Sequence, residues 1–120
     1  MVDDDLKSFY ILTMILKLRN YDVIPYLDPV GVLPDFENGA YDLLLILVEM
    51  VRMNGFELYK NVKNADRHAK VCFMTNYRQR YLPEFSRLFP ELTSDSLVDK
   101  PISANDLSRG NFATASWQMS

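Results

Sequence analysis

Two periods alternate along the chain. From Leu6 to about Arg19 the apolar positions Leu6, Phe9, Leu12, Ile15 and Leu16 fall three and four residues apart, which predicts a helix with Asp5 as its cap. Val23 to Tyr26 is a short apolar run that predicts a second strand. It closes at Asp28-Pro29, an N-cap followed by the residue suited to the first helical position. The helix after it is weak, because Gly31 and Pro34 both fall inside it. Asn38-Gly39 predicts a turn into Asp42–Val48, a run apolar on both faces, as in a central parallel strand. Further on come a helix over Phe56–Val62, a strand over Val71–Met74 and a helix over Tyr81–Phe89 interrupted early by Pro83. Leu97–Asp99 predicts a short last strand, and Ser103 caps a last helix that Gly110-Asn111 stops. Strands alternating with helical patterns predict an α/β sheet with crossover helices.

Composition narrows this picture. The 120 residues suit one domain with one modest core, and 48% hydrophobic with 24% charged residues excludes wholesale disorder. A net charge of −3 with no lysine/arginine run argues against direct nucleic-acid binding. The only cysteine, Cys72, lies in the apolar run V-C-F-M, so no disulfide forms within the chain, and a reducing, cytoplasmic setting is expected. No apolar stretch reaches membrane-spanning length, and M-V-D-D-D has no secretory-signal character. The single histidine, His68, sits in the polar stretch N-A-D-R-H-A-K and reads as a surface residue.

Chemistry-bearing residues gather at the ends of the expected strands. Val2-Asp3-Asp4 places an acidic pair after the first strand, and M-V-R-M-N-G (Met50–Gly55) follows the third. Thr75 ends the fourth, and Lys100-Pro101 ends the fifth. Jointly these resemble the receiver domain of response regulators, over residues 1–109, leaving 110–120 as an irregular C-terminal tail. The resemblance implies a flavodoxin-like (CheY-like) doubly wound parallel five-stranded sheet of order 2-1-3-4-5. The first strand and last helix are shortened, since only Met1 and Val2 precede Asp3. It also implies a place in two-component phosphorelay signalling.

In that family an aspartate at the end of the third strand takes a phosphoryl group from a histidine kinase. Here that position is Leu47, which cannot form an acyl phosphate. The resemblance assigns Asp3, Asp4 and the carbonyl of Glu49 to Mg²⁺, whose preference for hard oxygen ligands explains the residue types. It assigns Thr75 and Lys100 to the phosphoryl oxygens, and Leu97 to a switch position where an aromatic is usual. Val51 replaces the usual loop proline, and Asn76 stands where a small residue leaves room for the phosphoryl group. The expectation is a stand-alone pseudo-receiver: not an enzyme, not phosphorylated at the usual site, binding Mg²⁺ weakly if at all. It would act on a protein partner, a histidine kinase or output protein, with a homodimer as a further option.

Simpler readings stand beside these. Asp5 or Asp4 serves as a helix cap, Lys100 pairs with Asp3 or Asp4, Thr75 is a plain strand-end hydroxyl, and Cys72 is a core residue. Trp117 has no account beyond packing or a partner contact. One rival function is a conventional receiver that uses Asp3 or Asp4 as acceptor. A second is a haloacid-dehalogenase-type phosphatase with Asp3 as nucleophile and Asp5 as acid, although Lys7 stands where that motif wants threonine or valine. A third is a non-functional remnant.

Overall fold

Four consecutive apolar residues, Leu44–Leu47, form strand β1, and all four are buried. They pair in parallel with β2 (Val71–Thr75), which pairs in parallel with β3 (Leu97–Asp99). The register sets Leu47 opposite Met74 and Thr75 opposite Asp99, so three strand ends finish together at one edge. The computed structural model describes residues 1–2, 6–32 and 43–107. The Asn38-Gly39 turn, Asp3 to Asp5, Pro34, Asp42 and the tail with Trp117 lie outside them.

Among the described residues the first two expected strands are each represented by one bridging residue. Val2 makes a parallel bridge to Tyr26 on one side and to Ile46 on the other, so the spatial order is the expected 2-1-3-4-5. The Val2 amide donates to Leu45 O at 2.8 Å, and the Leu47 amide donates to Val2 O at 2.9 Å. Tyr26 donates to Met1 O at 2.8 Å. The predicted strand over Val23–Tyr26 is thus corrected to one bridging residue. Pro25 has no N–H to give a ladder, and among the described residues Val2 is the one bridging partner beside Tyr26.

Helix α1 (Leu6–Leu18) buries Leu12 and Leu16. It stops where Asn20 takes φ 67, and the Tyr21 and Asn20 amides return to Leu16 O and Lys17 O at 3.1 and 3.0 Å. Asparagine is among the few non-glycine residues that adopt this geometry cheaply. After Asp28, whose carboxylate accepts from the Val30 amide at 3.0 Å, a 3₁₀ turn forms over Pro29–Gly31. Among the described residues no helix is long and apolar enough to cross a membrane.

Helix α2 (Gly55–Ala65) is capped by Asn54, whose side chain accepts from the Glu57 amide at 2.9 Å. It packs so closely on the end of β1 that a Cβ at Gly55 would collide with the Leu47 carbonyl oxygen and approach Ile46 Cγ2 to 2.9 Å. Gly55→Ala is therefore expected to lower stability by about 1–2 kcal/mol, measured as a urea midpoint. The backbone contact outweighs the roughly 1 kcal/mol alanine gains in a helix. An unchanged midpoint would contradict the close packing.

Helix α3 (Arg78–Leu88) starts three residues earlier than expected and runs through Pro83. The proline removes one bond to the Gln79 carbonyl, but Gln79 is exposed and water can take the donor's place. Asp99 Oδ1 accepts from the Arg78 amide at 3.1 Å, which fixes the earlier start. Helix α4 (Ala104–Leu107) follows Ser103, and Ser103 and Asp106 cap each other's amides at 3.1 and 2.8 Å. Between α2, α3 and β2 lies an aromatic core of Phe56, Tyr59, Phe73, Phe85 and Phe89.

Candidate functional site

The carboxyl ends of parallel strands gather chemistry because loops leave them on one side. Here β1 ends at Leu47, which is 3% exposed and belongs to the apolar core. The chain then turns through Val48, Glu49 and Met50. Val48 donates to Met74 O, and Gly55 donates back to Val48 O, both at 2.9 Å. This knits the loop to β2 on one side and to α2 on the other.

At the end of β2, Thr75 is fully buried. Its hydroxyl donates to Glu49 Oε1 and accepts the Tyr77 amide at 3.0 Å. The Asn76 amide also donates to Glu49 Oε1, at 3.2 Å. The other carboxylate oxygen, Glu49 Oε2, is shielded from solvent and has no hydrogen-bond partner among the described residues. Sequence reasoning gives Glu49 only a backbone role. The side chain is the part that enters the site, a placement with no signal in the spacing.

The third strand end follows. Lys100 donates its amide to Thr75 O at 2.8 Å, and the Lys100-Pro101 peptide is cis. Lys100 and Asn76 line a cleft of about 550 Å³ with Lys7, Ile11, Ile15 and Ile102, between α1 and the segment leading to α4. Arg78 braces the far side: its Nε donates to Leu97 O at 2.7 Å and its Nη2 to Ser94 O at 3.0 Å. Leu97, which the resemblance assigns to a switch position, is buried in the core.

The described residues do not present a Mg²⁺ donor set. Leu47 carries no oxygen on its side chain, the Glu49 carboxylate is turned to Thr75 and Asn76, and no three described acids, histidines or cysteines stand together. Asp3 and Asp4 lie outside the described residues, so their pairing with Lys100 does too. His68 is exposed, as expected. Cys72 is buried, and that burial, with the nearby Asp106 charge adding to it, pushes its thiol up to about 12; it is inert at neutral pH.

Comparison with known proteins bears on this arrangement. The family described as the response regulator receiver domain matches residues 1–109. The chain belongs to that family. A response regulator receiver domain protein from Clostridium thermocellum superposes with a TM-score of 0.80 at 20% identity, covering 98% of this chain and 91% of that one. The chemotaxis protein CheY4 of Vibrio cholerae gives 0.69 at 21% identity and 88% of each chain. An adenylate cyclase from Rhodopirellula baltica gives 0.70 at 13% identity, with 98% and 83% covered. No curated protein matches. The receiver domain thus has the flavodoxin-like, CheY-like α/β fold and belongs to two-component signalling, where such domains engage kinases or effectors.

Proposed function

We propose that this receiver domain is a phosphorylation-independent protein-interaction module and not an enzyme. The observation that carries the reading is Leu47. An apolar, buried side chain ends β1 at the position where the family's chemistry needs a nucleophilic carboxylate. Glu49 is no substitute acceptor, because its Oε1 is held by two donors and its Oε2 is closed off from solvent. Signalling then proceeds by binding a histidine kinase or an output protein in one fixed state.

The partner face in this reading is formed by α3, β3 and α4. Support for it comes from the exposed Tyr77 at its edge, from the Arg80 guanidinium 5.7 Å from the Tyr81 ring centre, and from the Arg78 contacts that lock α3 to β3.

The test is intact-mass measurement of the chain after incubation with acetyl phosphate and Mg²⁺. The expected result is no added phosphoryl group. An adduct that disappears in Asp3→Asn or Asp4→Asn would replace this reading with the conventional receiver using another acid.

A further inference from the structure

We infer that the Glu49 carboxylate is the resident ligand of a cradle made by the Thr75 hydroxyl and the Asn76 amide, an internal anion that excludes small external oxyanions from it. The cradle has the makings of an oxyanion site: a hydroxyl and a backbone N–H, side by side at a strand end, both donating to one oxygen. The Tyr77 amide donates to Thr75 Oγ1 at 3.0 Å and so leaves the hydroxyl proton aimed at the carboxylate. Thr75 is fully buried.

Glu49 holds this position although its Oε2 is buried without a partner among the described residues. A buried oxygen without a partner costs free energy, and the two hydrogen bonds to Oε1 offset that cost. A tethered carboxylate also competes at the high effective concentration of an intramolecular group, which a free anion at ordinary concentrations does not match. The contact joins the loop after β1 to the end of β2, the two segments that a phosphoryl group would otherwise bridge. The inference rests on the reading above, a domain held in one state without phosphoryl transfer, and names the group that holds it.

Amide hydrogen exchange and inorganic phosphate titration, followed by NMR at Asn76 and Tyr77, test this in the full chain, Glu49→Gln and Glu49→Ala. Glu49→Gln keeps the shape and removes the charge. The expected result is Asn76 exchange faster by about tenfold or more in Glu49→Ala, which loses the acceptor, and by a smaller factor in Glu49→Gln, which keeps a neutral one. Phosphate is expected to shift the Asn76 amide of Glu49→Ala and to leave the wild type unmoved. Unchanged Asn76 exchange in Glu49→Ala would overturn the inference, as would a wild-type phosphate response no smaller than that of Glu49→Ala. Neither readout depends on phosphoryl incorporation, so an adduct by mass would defeat the proposed function while leaving this contact to be judged by itself.

Discussion

Leu47→Asp is expected to destabilise the domain by about 4–6 kcal/mol near neutral pH, a large part of the roughly 5–15 kcal/mol that holds a typical domain together. Two losses add. Leu47 is buried to 3% exposure against the core, and removing its side chain from that place costs roughly 2 kcal/mol. An aspartate there must either keep its charge away from water or hold its proton to higher pH. Each tenfold weakening of the acid costs about 1.4 kcal/mol once the pH stands above its folded pKa. The sign with pH follows. A carboxyl whose folded pKa lies above its unfolded value is harmless below the unfolded value, and it costs progressively more as pH rises towards the folded one. Urea midpoints for Leu47→Asp are therefore expected to lie closer to wild type at pH 5 than at pH 8. Mg²⁺ is expected to recover part of the loss, because it binds the folded state through the new carboxylate with the acidic pair the resemblance assigns to it. Midpoints equal with and without Mg²⁺ would contradict that last expectation.

Phe73→Ala is expected to cost about 3–5 kcal/mol, the range for deleting a buried aromatic ring. Phe73 is fully buried in the middle of β2. Its ring centre lies 4.9 Å from Phe56, 5.6 Å from Tyr59 and 5.5 Å from Phe89, the first two edge-on and the last stacked. No single neighbour can collapse into the space without leaving another ring. The consequence reaches the site, since Thr75 and Asn76 follow on the same strand end and depend on β2 for their position. Thermal unfolding followed by near-UV circular dichroism measures it directly. A cost below about 1 kcal/mol would mean that the ring cluster repacks.

Much of this fold is legible in the sequence, for reasons that differ by element. The central strand is readable because Leu44–Leu47 is apolar on both faces, a pattern that only a strand covered on both sides tolerates. The α2 start is readable from Asn54-Gly55, and the last helix from Ser103, because caps act through local bonds that a sequence can display. The first residue of α3 is not readable: it is set by Asp99, 21 positions away, accepting the Arg78 amide. Nor is the loss of the second strand, since Val23–Tyr26 looks strand-like but bridges only at Tyr26.

The site divides in the same way. The strand-end places of Thr75 and Leu47 are legible because the apolar runs that end in them mark the strands. Glu49 is assigned by its backbone, while its side chain makes the decisive contact, and no spacing rule tells which way a loop carboxylate turns.

The most direct test of the central claim, that this receiver domain holds one state without phosphoryl transfer, is an amide-correlation NMR spectrum of the chain. It is recorded alone, with Mg²⁺, and with Mg²⁺ and acetyl phosphate together. The expected result is a dispersed spectrum in which the Thr75, Asn76 and Tyr77 resonances stay in place throughout. Movement of those three on adding the phosphodonor, reversing as the donor is consumed, would contradict the claim.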